Sequence, residues 1–208
     1  TARAGAGHSS PPQFNNRATS GANLNRSSMV DTSVIRYNST GGIVILGNFY
    51  NGNVTQNVTV TDNRVTSNGL AGILVQNAVG NALPGGAASL SQGLTIDANT
   101  IAYNRGKFVI SSGGVLFAAT GGGIDIRLSA NNLATNGAVT LNSAIEIAGN
   151  RIAGNVVDGV ISATPVSFGL NATVIQSGFN GAGNGVVNMN GNLLTVENNT
   201  FINGNGSL

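Results

Sequence analysis

The amino-acid sequence predicts an all-β solenoid: about seven stacked coils with asparagine ladders at their corners, preceded by a polar N-terminal arm. Three observations predict it. A pattern of the form apolar-x-apolar-x-x-Asn-x-apolar-x-x-Asn, clearest in Leu94–Asn104 (LTIDANTIAYN), returns along most of the chain. Successive copies lie 19 to 36 residues apart, the range of stacked repeat architectures. The composition is also unusual, with 31 glycines, about as many asparagines, and only 8% charged residues against about 25% in ordinary soluble domains. Hydrophobic content stays at 41%, enough for a packed core rather than a disordered chain.

In chain order, residues 1–27 are polar and turn-rich, with Pro11-Pro12 and no helical or strand period. They read as an arm that packs on the body or on a neighbour, and residues 28–208 as the solenoid domain. Template copies begin at Ser28, Val58, Leu94, Ile126, Ile145 and Leu194, with a degenerate copy at Ala172 that lacks both asparagines. Each copy opens with period-2 alternation rich in β-branched residues, the signature of a strand. The shared Asn or Ser then breaks the alternation, and a second short strand follows, such as Arg64-Val65-Thr66. After many copies comes a glycine and a third apolar run, as in Gly42–Leu46, Gly72–Val75 and Gly159–Ile161. Three short strands joined by tight turns make one coil. The longer steps predict loops at Asn77–Ser91 and Ser112–Gly123.

The repeated asparagine has a physical reason. Stacked coils bring equivalent residues to about 4.8 Å, and an amide carries both a donor and an acceptor, so Asn can bond to Asn along the stack. Asn also tolerates the left-handed backbone of a sharp corner. One column is expected through Ser33, Asn63, Asn99, Asn131, Asn150, Ser177 and Asn199, and a second through Asn38, Asn68, Asn104, Asn136 and Asn155. Apolar positions such as Val60, Ile96, Leu128, Ile147, Val174 and Val196 are expected to form one inward column. On these residues the chain, over 28–208, resembles the right-handed parallel β-helix repeat of pectate-lyase-like enzymes, phage tailspikes and adhesin passengers. That resemblance implies fold. The acidic calcium cluster with its Arg or Lys base, and the paired Asp with Gly-His-Gly of polygalacturonase-like enzymes, are both missing here.

Few residues can carry chemistry. Cysteine is absent, which excludes disulfides and thiolate metal sites, and no cofactor is expected. Nine scattered Lys and Arg and 5% aromatics argue against nucleic acid, and no 18-residue apolar run exists to span a membrane. Of seven carboxylates, Asp31, Asp97 and Glu197 share one outward template position. Two coil steps would separate Asp31 and Asp97 by about 9.6 Å, near the spacing of inverting glycosidases, with Asp62 between them. These three are the candidate catalytic residues, weighed against solvated surface carboxylates. Tyr37, Tyr50 and Tyr103, with Phe49, are the candidate sugar-stacking residues. Asn53 and Asn57, read as lying on a loop, are the more accessible of seven glycosylation sequons. The chain starts without Met or a signal core and ends on a full-strength repeat without a capping helix, which reads as a processed chain whose ends associate. The expected function is therefore an extracellular structural protein at the cell surface, self-associating head to tail into a fibre or layer. The alternatives are a glycan-binding adhesive module of a larger surface or phage-fibre protein, and a polysaccharide lyase or glycoside hydrolase.

Overall fold

A computed structural model describes residues 2–4, 13–18, 23–39, 41–110, 116–119, 122–158, 172–180, 184–189 and 193–202. Every regular element among them is a β-strand. The chain runs β1 (Ala2–Ala4), β2 (Gln13–Ala18), β3 (Asn23–Asp31), β4 (Val34–Arg36), β5 (Ile43–Tyr50), β6 (Asn53–Thr61), β7 (Arg64–Thr66) and β8 (Ile73–Asn81). It continues through β9 (Ala87–Asp97), β10 (Thr100–Ala102), β11 (Arg105–Ile110), β12 (Leu116–Ala119), β13 (Ile124–Asn132) and β14 (Ala138–Ala148). The last strands are β15 (Arg151–Ala153), β16 (Val156–Asp158), β17 (Ala172–Asn180), β18 (Val186–Asn188), β19 (Leu193–Glu197) and β20 (Thr200–Ile202).

These strands sort into three main parallel sheets that the chain visits in rotation. Sheet A has the order β1-β3-β6-β9-β14-β18, with β19 also on β14. Sheet C, built of three-residue strands, is β4-β7-β10-β15-β20, and sheet B is β2-β5-β8-β13-β17. Each round passes A, then C, then B. A fourth small sheet joins β11 to β16 in parallel and to β12 antiparallel. The arrangement is compatible with a solenoid of stacked rounds.

Register explains which sequence repeats are real. In sheet A, Ser28, Val58, Leu94, Ile145 and Leu194 sit directly opposite one another along the stack. Five of the seven template copies are thus structurally equivalent, at steps of 30, 36, 51 and 49 residues. The copies at Ile126 and Ala172 are not: they lie in β13 and β17 of sheet B, where Ile126 pairs with Val75 and Val174. Their apolar alternation mimics the template because any strand with one buried face alternates.

The three sheets turn their apolar faces onto one core. Val30, Val60, Ile96 and Ile147 of sheet A, Ile35, Val65, Ile101 and Ile152 of sheet C, and Ile45, Val75 and Ile126 of sheet B are all fully buried in it. The expected single inward column is therefore split. Val60, Ile96 and Ile147 stack in sheet A, whereas Leu128 enters the core from sheet B opposite Asn77. Val174 and Val196 hold backbone places in β17 and β19, and their side chains lie outside the described residues.

Within residues 1–27 the structure contains strands where no period is legible. β1 pairs with β3 and β2 with β5, both in parallel, and β3 already begins at Asn23. The predicted loop at Asn77–Ser91 is also mostly strand, since β8 runs to Asn81 and β9 starts at Ala87. Of Ser112–Gly123, Leu116–Ala119 is strand β12. The Gly159–Ile161 run lies outside the described residues.

Candidate functional site

The corners are the most regular feature, and they separate two jobs that the sequence merges in one asparagine. Between sheets A and C, the residues with positive φ are Thr32, Asp62, Ala98, Gly149 and Asn198. Between sheet C and the run toward sheet B they are Tyr37, Ser67, Tyr103 and Gly154. Each stands immediately before the ladder residue. The expectation that the ladder asparagine itself takes the left-handed backbone is thus corrected: the preceding residue turns the chain, and the asparagine holds the turn.

It holds it through hydrogen bonds to the neighbouring round. In the first ladder Asn63 donates through Nδ2 to Asn99 Oδ1 at 3.0 Å, Asn99 to Asn150 at 3.0 Å and Asn150 to Asn199 at 2.9 Å. Each acceptor oxygen also receives the backbone N–H of the preceding rung, beginning with Ser33. Each Nδ2 further reaches carbonyls in its own and the preceding round, as Asn99 does to Asp97 at 2.8 Å and Val60 at 2.9 Å. The second ladder is Asn38–Asn68–Asn104–Asn155, at 3.0, 2.8 and 3.0 Å. Asn38 is its first rung, and its buried Oδ1 has no hydrogen-bond partner. Asn131 and Asn136 are corrections. Asn131 sits in β13 opposite Gly80 and Phe179, and Asn136 is the positive-φ residue of the turn between β13 and β14. Neither forms a rung, because Asn99 and Asn104 bond directly to Asn150 and Asn155. Ser177 lies in β17 of sheet B opposite Ser129 and so leaves the first column as well.

Two amide groups were not legible in the sequence. At the end of sheet B, Asn81 and Asn132 are paired in register and fully buried. Asn81 Nδ2 donates to the Leu83 and Gly86 carbonyls, and Asn132 Nδ2 to those of Ala134 and Gly137, so each closes the turn toward sheet A. Inside the core, Gln56 and Gln92 of sheet A meet Asn77 of sheet B, whose Nδ2 donates to Gln56 Oε1 at 3.0 Å and Gln92 Oε1 at 2.7 Å. Gln56 Nε2 and Asn77 Oδ1 remain buried without partners. The available signal was a polar residue at an inward strand position.

The candidate carboxylates and two of the three candidate tyrosines fall at the two ends of the short sheet C strands. Asp31, Thr61 and Asp97 are consecutive along sheet A, with Ala148 and Glu197 beyond, so Asp31 and Asp97 are two strand spacings, about 9.6 Å, apart. Asp62 occupies the corner beside them. Asp31 accepts from Thr32 Oγ1 at 2.8 Å and Asp62 from Thr61 Oγ1 at 3.4 Å. Tyr37 and Tyr103 take equivalent places on the opposite corner and are 76% and 66% exposed. The Arg36 guanidinium lies 5.6 Å from the Tyr37 ring centre, and the Tyr103 ring lies over Gly154, where a Cβ would come within 2.6 Å of it. Tyr50 is elsewhere, at the end of β5 over Gly80. Phe49 is a correction, being fully buried in the core. Asn53 and Asn57 are a second one, since both belong to strand β6.

On sheet B, Asp125 is fully buried and takes a two-point contact from Arg127, at 2.9 and 2.8 Å. Among the described residues no cluster of His, Asp and Glu could hold a metal ion, and no helix is long and apolar enough to cross a membrane. The outer face of sheet A carries two shallow grooves of about 270 and 300 Å³. No family model, curated protein or solved structure matches the chain.

Proposed function

We propose that the chain is a right-handed parallel β-helix that serves as an extracellular structural scaffold and assembles with its own copies into a fibre or surface layer. Right-handed winding follows from the strong preference of parallel crossovers for that hand. On this reading the described strands complete four coils, β3-β4-β5, β6-β7-β8, β9-β10-β13 and β14-β15-β17, with β1 and β2 before them and β18, β19 and β20 after them as partial ones. The observation that carries the reading is the pair of asparagine columns that ties each round to the next through buried hydrogen bonds. Such ladders stiffen the long axis, as a scaffold needs. Low charge supports association: with 8% charged residues and a net charge of +2, little electrostatic repulsion keeps copies apart. Negative-stain electron microscopy beside light scattering over a concentration series tests this. The expected outcome is mass that grows with concentration and regular fibres or sheets. A monodisperse monomer at every concentration would reject the assembly.

A glycan-binding adhesive module is the second reading, favoured by the display of Tyr37 and Tyr103. Two exposed rings on equivalent corners, about 9.6 Å apart along the stack, form a pair of stacking platforms. Retention on a polysaccharide panel should fall in the double variant Tyr37→Ala/Tyr103→Ala. Undiminished retention in that variant would remove the tyrosines from the role.

A further inference from the structure

Apart from Glu146 and the corner carboxylates Asp31, Asp97 and Glu197, the outer face of sheet A is an array of short hydroxyl and amide side chains, and we infer that it is a docking surface for a neutral polysaccharide, separate from the corner tyrosines. Alternation places every second residue of β6, β9 and β14 outward. One outward row is Asn25, Thr55, Ser91 and Asn142, and another is Thr59, Thr95, Glu146 and Thr195. Neighbours along a row are about 4.8 Å apart and alternate residues along a strand about 6.7 Å. Hydroxyls and amides both donate and accept, so the face offers a dense lattice of two-way hydrogen-bonding groups to a ligand made of hydroxyls.

Three features narrow the occupant. The two grooves on this face are lined by one ionisable residue, Glu146, and by no cation, so an anionic polymer would find no counter-charge. The grooves are shallow and offset by about four residues along the strands, roughly 13 Å, so an extended chain lying along the strands would meet both. Gly93 opens the larger groove: it stands in register between Asn57 and Ala144, and a Cβ there would come within 2.4 Å of Asn57 Oδ1. A second copy of the protein is a poor fit, since the exposed large hydrophobics at outward described positions of this face, Met29 on β3 at 36% and Val186 on β18 at 49%, stand toward opposite ends of the stack and form no contiguous apolar patch. Without aromatic rings each contact is weak, so useful retention needs a polymer that meets several sites at once.

The experiment is retention of the full chain on insoluble cellulose, chitin and a β-1,3-glucan, beside polygalacturonate as the charged comparison. Ala144→Arg fills the larger groove and Ser91→Arg the smaller, both from outward positions, while Thr100→Arg on sheet C is the control. Thr95→Arg stands in if Ala144→Arg melts early. Retention on at least one neutral polymer is expected, with a loss of about tenfold or more in the groove variants, the worth of one or two hydrogen-bonded contacts. The control should bind normally. Failure to bind any neutral polymer would overturn the proposal, and so would retention that survives in the groove variants. Loss confined to Tyr37→Ala/Tyr103→Ala would hand glycans to the corner instead. Equal, salt-sensitive retention on polygalacturonate would mean that charge is being read. Adsorption to ice that disappears in the groove variants, without polysaccharide retention, would give the face to ice.

Discussion

At the scale of single residues, stability is concentrated at the corners. A non-glycine residue in the left-handed region carries a cost of about 1–2 kcal/mol, and Ala98 has φ of 55° with no side-chain hydrogen bond to offset it. Ala98→Gly should therefore stabilise the protein by about 0.5–1 kcal/mol after the added chain entropy of glycine is charged against it. Gly149 occupies the equivalent place one round on, with φ of 63°, and a Cβ there would come within 2.8 Å of Asp97 Oδ1. Gly149→Ala should cost about 1–2 kcal/mol. Urea unfolding of the pair checks both signs, and a shift in the same direction for both would mean that the backbone is not what limits this corner. The ladder residues make a second contrast. Asn104→Ala strands the Asn68 backbone N–H and removes the donor to the Val65 carbonyl, leaving the Asn68 amide only its 3.4 Å bond to the Ile35 carbonyl, at about 1–3 kcal/mol for a stranded buried group. Asn38→Ala removes a first rung whose Oδ1 is already unpartnered, so it should cost clearly less. Equal costs would show that the two rungs are held by something other than the ladder.

At the scale of strands, the strict register decides what each position does. Ile96 is fully buried between Val60 and Ile147, and no flexible neighbour lies above or below it to fill a gap. Ile96→Ala should cost about 2–5 kcal/mol, and a loss below about 1 kcal/mol in thermal or urea unfolding would place Ile96 outside the core. The buried amide trio shows the opposite economy. Gln92→Leu alone leaves Asn77 and the Gln56 and Gly93 carbonyls with fewer partners, whereas replacing Gln56, Asn77 and Gln92 together by Leu removes all three amide side chains at once and leaves only those two carbonyls to find others. The triple variant should be at least as stable as the single one, since deleting all members of a polar cluster is nearly neutral while deleting one strands the rest. A triple variant much weaker than the single would mean that the trio contributes net stability. In the same trio, two unpartnered atoms in the core mark a tension that the surrounding aliphatic packing overcomes.

At the scale of the whole molecule, each round touches mainly the rounds on either side, so stability should be close to a sum of nearest-neighbour interfaces. The partners of every parallel ladder are distant in sequence, at 26 to 51 residues in sheet A. Loops that long must close before their contacts repay the entropy, which makes folding slow. Refolding from urea, followed by far-ultraviolet circular dichroism, should take seconds or longer. Submillisecond recovery would argue for a fold with local contacts.

Sequence alone determined the strand alternation, the two-asparagine corner and the absence of thiol chemistry, because each is a local demand: a half-buried strand alternates, and a stacked corner needs a side chain that both donates and accepts. It also identified five of the equivalent rounds, from Ser28 to Leu194. What only the tertiary structure decided is which repeats are neighbours. Ile126 and Ala172 look like further coils because inward alternation is common to every sheet, and no local signal distinguishes sheet A from sheet B. The strands within residues 1–27 were hidden for a related reason: pairing to β3 and β5 supplies them with order that their own polar composition does not. The split between the residue that turns the corner and the residue that holds it was equally invisible, since positive φ at Thr32, Ala98 and Tyr103 goes against their intrinsic preference and persists only because the ladder beside them is satisfied. The outward lattice of sheet A is also a product of stacking, for its rows join residues that lie tens of positions apart and become neighbours only when the rounds settle about 4.8 Å from one another.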